Sequence, residues 1–470
     1  MIGRRRFLVT GAAGLVAACS KSQPQAAAPP PTGISLAAGE TDIDLGGVKV
    51  RTWAYGNQVP AREIRLKKGE RLRAELTNAM PQDVTVHWHG IALVNDMDGV
   101  PDLTQAAVPT GQKFTYDFVV PDAGTYWFHS HVGAQLDRGL YGPLIIEDPN
   151  EKVDYDDELV LVLDDWIDGT GTNPDQVFEN LKKSGMKPMA PGGPGVTPTS
   201  PIGQDGGDVE YPYFVINGRV PADPQVVDYR AGQRIRLRFI NAGSDSAFRV
   251  AVPNTTMRVI QTDGYPVVPV QANSVILGMG ERVDAIVTVN GSLPVVAVPE
   301  GKQSHAQLNM RVNNAPSTVN VDDFVASVGQ EAPLDTATLS PTPEVTLAAK
   351  EPDQVIDAHL TGPVNGYTWP VNGKLYNPPN DGVPVKPNQR VRIRFINDSM
   401  MFHPFHLHGH TFQVMNTNTP KARKDTVLVP PKQTVEVDFD TSNPGKWISH
   451  CHNTYHLEAG MAFFVEYSGQ

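Results

Sequence analysis

The stretch Gly69-Glu70-Arg71-Leu72-Arg73-Ala74-Glu75-Leu76-Thr77-Asn78 recurs as Gly232-Gln233-Arg234-Ile235-Arg236-Leu237-Arg238-Phe239-Ile240-Asn241. It recurs again as Asn388-Gln389-Arg390-Val391-Arg392-Ile393-Arg394-Phe395-Ile396-Asn397. Each copy alternates charged and apolar side chains, the period-two pattern of a half-buried strand. The copies start 163 and 156 residues apart, the spacing of a repeated domain and not of a solenoid. The repeat predicts an all-β chain of three β-sandwich domains, at 34–150, 157–318 and 340–470. A length of 470 residues agrees with three such units. The 42 Gly and 41 Pro also favour short strands and turns over helical bundles.

The histidines keep register with the repeat. His87 lies sixteen residues beyond Arg71 and His406 sixteen beyond Arg390, whereas sixteen beyond Arg234 is Val250, in the apolar run Phe248–Val252. Five residues likewise separate Gly124 from His129 and Gly445 from His450, so Ser130 falls at the place of Cys451. The middle domain thus has the scaffold without ligands. Two segments break the order. Residues 168–212, rich in Gly, Pro, Thr and Ser, read as an excursion of the second domain around a helix at Pro174–Ser184. Residues 316–343 read as a linker with a short helix near Asp322–Val328.

Four clusters hold most of the histidines: HWHG at 87–90, HSH at 129–131, HPFHLHGH at 403–410 and HCHNTYH at 450–456. Pairs at i, i+2 with no carboxylate among them suit copper better than calcium or magnesium. Zinc competes for histidine clusters, but it does not account for Cys451, His456 and Met461 following one another at five-residue steps. One thiolate, two imidazoles and a weak thioether form the donor set of a blue-copper electron-transfer site. In a strand, Cys451 would point one way and His450 and His452 the other. A copper beside the thiolate would then be joined through bonded backbone to metals beside the two imidazoles.

Composition narrows the rest. A net charge of −12 argues against nucleic acid. Arg4-Arg5-Arg6-Phe7-Leu8 and the apolar run to Ala18 read as a twin-arginine export signal, and Ser20–Thr32 as a disordered tether, the two occupying residues 1–33. Val16-Ala17-Ala18-Cys19 reads as a lipobox, which would anchor the chain to a membrane through Cys19; cleavage near Ala26–Ala28 is the alternative. The expected destination is the periplasm or cell envelope. With Cys19 spent on export, Cys451 has no disulfide partner.

In this order and at these separations the four clusters resemble the multicopper oxidases, the family of laccases, ascorbate oxidase and the metallo-oxidases, over essentially everything from residue 34 onward. The resemblance implies three cupredoxin-like Greek-key sandwiches and four copper ions. It implies that His403, Cys451, His456 and Met461 hold a mononuclear blue copper. It further implies that His87 and His406 hold one copper of a three-copper cluster, and that His89, His129, His131, His408, His450 and His452 hold its coupled pair. The implied reaction is four one-electron oxidations of a small-molecule reductant coupled to reduction of O2 to two waters. Within the family the chain reads as laccase-like, acting on phenolic or other aromatic donors, with a cuprous or metallo-oxidase of copper tolerance as the alternative. A two-domain copper nitrite reductase and a ligand-less exported relative fit less well. A monomer is expected.

By the same resemblance Asp98, in Met97-Asp98-Gly99-Val100-Pro101, would aid proton delivery to the cluster; the plain reading is a turn residue. Many relatives place a second acid where this chain has Thr454 or Leu457. His410 reads as a buried hydrogen-bonded residue, and His305 and His359 as ordinary surface or loop residues. A Met-rich lid is not evident: Met186 and Met189 are isolated, and Met400-Met401 read as packing residues. The edge of His456 or His403 is therefore expected to lie open to flat aromatic donors.

Overall fold

The computed structural model describes residues 32–185, 200–203 and 205–468. The leader with Cys19, and Met186 and Met189, lie outside them. Within the described residues the chain forms pairs of packed sheets: four and three strands in the first third, six and six in the middle, five and five in the last.

All three repeats are strands, at Arg71–Asn78, Gln233–Asn241 and Arg390–Asn397. Each sits in the same surroundings. A strand earlier in the chain pairs with it in parallel: Thr32–Asp44, Asp157–Trp166 and Gln354–Leu360 respectively. A later one pairs antiparallel: Lys113–Val119, Arg282–Val289 and Thr434–Asp440. A parallel neighbour inside an otherwise antiparallel sandwich requires the chain to cross between sheets, as Greek-key connections do. The closing Asn of each repeat is a buried bracket. Asn78, Asn241 and Asn397 donate through Nδ2 to carbonyls of Val108, Leu277 and Val429, while Oδ1 accepts the N–H of Met80, Gly243 and Ser399. A sequence-distant loop is thereby tied to the same strand end three times.

The half-buried expectation fits the first copy, where Leu72, Ala74 and Leu76 face inward. The second copy departs from it. Arg236 and Arg238 are buried too, because this face packs against the first unit. Both guanidiniums contact Asp284, Arg236 at 2.7 Å and Arg238 at 2.9 Å, and Arg238 also reaches the Thr125 hydroxyl. Glu151 and Glu158 complete the pairing.

The excursion contains the helix Pro174–Ser184, with Pro at its start and Asn173 capping it through the N–H of Gln176. The segment after the second sandwich contains a helix at Val321–Val328 and then docks, since Leu334–Asp335 adds in parallel to Ser274–Leu277. No helix among the described residues is long and apolar enough to cross a membrane.

Candidate metal centre

The strand Lys446–Cys451 runs beside His403–Leu407, in the register Phe405 to Cys451 and His406 to His450. The first unit repeats this pairing in miniature, with His87 and His129 exchanging both backbone hydrogen bonds at 2.8 and 3.0 Å. The two units dock on each other. Asn95 donates to Lys446 O and Asn443 to Leu93 O, and His408 Nδ1 reaches Asp98 Oδ2 at 2.9 Å. Eight imidazoles, four from each unit, thus converge on one buried space.

Their nitrogens form three groups with mutual distances within 4.8 Å: His87, His89 and His406; His89, His129 and His452; and His131, His408 and His450. The backbone aims half of the rings. His87, His129, His406 and His450 give Nδ1–H to the carbonyls of Asp98, Ser130, Asp425 and Cys451, at 2.8 to 2.9 Å. The opposite nitrogens of His87, His129, His131 and His406 are buried without a hydrogen-bond partner, and Nε2 of His408 and His450 face each other at 3.0 Å. Orphaned buried nitrogens need an explanation, and converging lone pairs supply one in metal ions. Burial holds seven of the eight imidazoles neutral, with neighbouring histidines adding to the effect. Neutral imidazole is the ligating form.

A second site lies on the far side of the same strand. Cys451 Sγ is 3.6 Å from His403 Nδ1 and 3.5 Å from His456 Nδ1, and the two nitrogens are 3.2 Å apart. The alternation expected of a strand therefore separates the thiol from His450 and His452. Burial pushes the Cys451 thiol up, so a thiolate there requires a cation beside it. Met461 is seated by its backbone, accepting from Cys451 N at 3.0 Å and donating to His456 O at 2.9 Å. In the first unit Ser130 N donates to Leu140 O instead. Ser130 and Leu140 thus hold the places of Cys451 and Met461, and the first unit has no thiol to offer.

One expectation is corrected. The edges of His403 and His456 are not open: both side chains are fully buried. His403 Nε2 is hydrogen-bonded to the Ser399 hydroxyl at 2.8 Å. His456 Nε2 is hydrogen-bonded to Asp208 Oδ2 at 2.9 Å, Trp369 lies on its ring at 3.9 Å, and the Tyr367 hydroxyl donates to the same Asp208 oxygen. Sequence reading passed over Asp208 because it sits in Asp205-Gly206-Gly207-Asp208, within an excursion whose composition signals only loop.

Asp98 is wholly buried at the end of the turn Asn95–Met97 and reaches two rings, His408 at 2.9 Å and His87 at 3.2 Å. His410 is not in any metal-capable group among the described residues; it bridges His408 O and the Tyr467 hydroxyl. His359 is exposed and paired with Asp398, and His305 is half-buried. Met401 is buried as a packing residue, but Met400 is 69% exposed.

Buried histidine clusters joined through a cysteine strand across cupredoxin-like sandwiches define a copper oxidase. The chain belongs to the multicopper oxidases: models of that family match residues 38–151, 157–315 and 349–469. It is an oxidoreductase that uses O2, and its cofactors are four copper ions, one mononuclear and three in a cluster. It is 42% identical to multicopper oxidase MmcO of Mycobacterium tuberculosis, over 97% of this chain and 92% of that one. It is 28% identical to copper resistance protein A of Escherichia coli, over 97% and 98%. Among solved structures, the multi-copper oxidase from Pseudomonas thermotolerans matches with a TM-score of 0.70 and 27% identity, over 93% of this chain and 99% of that one. Fet3p, described as a multicopper oxidase that functions in iron import, shares the fold at a TM-score of 0.78 and 23% identity, over 93% and 91%.

Proposed function

We propose that this chain is a laccase-like oxidase of phenolic or related aromatic donors, with electrons entering through Asp208 and His456. His403, Cys451, His456 and Met461 hold the mononuclear copper. His87 and His406 hold one cluster copper, and His89, His129, His131, His408, His450 and His452 hold the other two. When bound, the copper set accepts electrons singly at the mononuclear site and passes four of them to O2, giving two waters. The residues do the rest. The peptide from Cys451 to His450 and His452 is the covalent path between the two sites, and Asp98, touching His87 and His408, aids proton delivery to the water-forming end.

The observation that carries the donor assignment is the 2.9 Å contact between Asp208 Oδ2 and His456 Nε2. A phenol loses a proton as it loses an electron, and the buried carboxylate on the imidazole is an acceptor placed for that proton. The same carboxylate over a closed ring edge also suits a cation, so Cu(I) or Fe(II) is the second reading; similarity to copper resistance protein A supports it as well. Steady-state rates with dimethoxyphenol, Cu(I) and Fe(II), measured side by side, test the choice. The phenol should be oxidised without added copper. Phenol turnover only in excess copper, with ready Cu(I) consumption, makes the metal ion the reductant.

The domain limits 34–150, 157–318 and 340–470 belong to the same proposal, supported by the closely spaced family matches. So do twin-arginine export to the periplasm, a lipid on Cys19 and a monomeric state, which rest on sequence alone.

A further inference from the structure

We infer that the middle unit, which supplies no ligand, builds the outer layer of the three-copper site: Arg282, by gripping Asp425, decides which nitrogen His89 turns to the metal. The inference rests on His89 and His406 being cluster ligands, as read above.

Arg282 opens the strand Arg282–Val289 and its side chain is wholly buried. Nε donates to Thr125 O of the first unit at 3.0 Å, and Nη1 to Gly280 O at 3.0 Å. Nη1 and Nη2 then fork onto Asp425 of the last unit, at 2.7 Å to Oδ1 and 2.6 Å to Oδ2. A two-pronged guanidinium contact fixes both the position and the plane of a carboxylate.

So fixed, Asp425 faces two histidines. Its Oδ1 lies 3.1 Å from His89 Nε2, and its main-chain carbonyl accepts from His406 Nδ1 at 2.8 Å. An ionised carboxylate only accepts, so the His89 proton sits on Nε2 and its lone pair on Nδ1, which lies 3.2 Å from His452 Nε2. His87, His129, His406 and His450 are wired the other way, giving Nδ1–H to main-chain carbonyls. Their orientation comes with the backbone; that of His89 depends on side chains of another unit, Asp425 and the Thr426 hydroxyl, each 3.1 Å from Nε2.

Two glycines clear the space. A Cβ at Gly90, next to His89, would come within 2.5 Å of Arg282 Nη2 and 2.6 Å of Asp425 Oδ2. One at Gly280 would come within 2.8 Å of His452 and 3.0 Å of His89. Both have φ near +87°, where a side chain is strained in any case.

Asp425→Asn separates positioning from mere stability. It keeps the shape, but its NH2 faces an Arg282 donor in either arrangement: Nη2 in the first, and both Nη1 and His89 Nε2–H in the second. In the second arrangement the His89 proton has to move to Nδ1, the metal-facing nitrogen. Loss of a carboxylate that orients a ligating histidine lowers metal affinity about 10–100-fold.

The test uses copper-loaded full-length wild type, Asp425→Asn, Arg282→Lys and His89→Ala. Copper per chain, blue absorption, the non-blue copper EPR signal and the EDTA concentration that strips the cluster are measured for each. In Asp425→Asn the blue signal should be unchanged while cluster copper is stripped at about 10–100-fold less chelator; Arg282→Lys, a point charge in place of a fork, should shift less in the same direction. Wild-type chelator resistance in both variants, with cluster copper lost in His89→Ala, overturns the inference and leaves the ligand reading standing, whatever happens to the melting temperature. Full cluster occupancy in His89→Ala overturns the ligand reading itself. Should Asp425→Asn not fold, Arg282→Lys decides alone, and wild-type resistance there overturns the inference.

Discussion

Asp208 places its Oδ2 2.9 Å from Nε2 of His456, so the imidazole that touches the Cys451 site through Nδ1 is tied on its other side to a carboxylate. Both side chains are covered from solvent. Tyr367, donating to the same oxygen, holds it in place.

Asp208→Asn removes the proton acceptor and keeps the shape. Phenol kcat/KM should fall by about 10²-fold or more, while the blue band and copper content stay as in wild type. Unchanged phenol kinetics across pH would free Asp208 of any part in donor oxidation.

At the other end, Asp98→Asn should slow reoxidation by O2 and leave reduction of the blue copper by substrate nearly untouched. The slowing should be greatest at higher pH, where bulk protons are scarce. Stopped-flow reduction and reoxidation, measured separately, resolve the two. Equal reoxidation rates at every pH would return Asp98 to the status of a turn residue.

The second repeat, unlike the first, is buried on both faces. Asp284 takes two guanidiniums and the Thr125 hydroxyl in a wholly buried setting. Asp284→Ala leaves those charges short of a partner and should cost about 3–5 kcal/mol, read from the urea midpoint at fixed copper occupancy. A loss under about 1 kcal/mol would mean Glu151 and Glu158 suffice alone.

Export is tested at one atom. Wild type should partition with membranes, and Cys19→Ser should release it as a soluble enzyme. A wholly soluble wild type starting beyond Ala28 contradicts the lipobox.

Strands and the converging histidine clusters were legible because both leave short-range patterns. Alternation marked Arg71–Asn78 and its copies, and a constant offset of sixteen carried the register from Arg390 to His406. The second copy misled in part, because burial of Arg236 and Arg238 depends on Asp284 and on the first unit, which no local pattern encodes. Asp208, Asp425 and Arg282 went unseen for the same reason. Asp208 reaches His456, and Asp425 reaches His89, only across unit boundaries, and Arg282 acts through Asp425. The open His456 edge was expected because no lid of methionines could be read; the cover is one carboxylate and two aromatic side chains drawn from distant segments.

On this reading one thiolate makes one copper blue and sets it apart from three held by imidazoles. Copper content and visible absorption of Cys451→Ser measure it directly. That variant should hold about three coppers per chain, with no intense blue band, no substrate oxidation and the cluster EPR signal retained. A blue band surviving in Cys451→Ser, or loss of all four coppers from a folded variant, contradicts it.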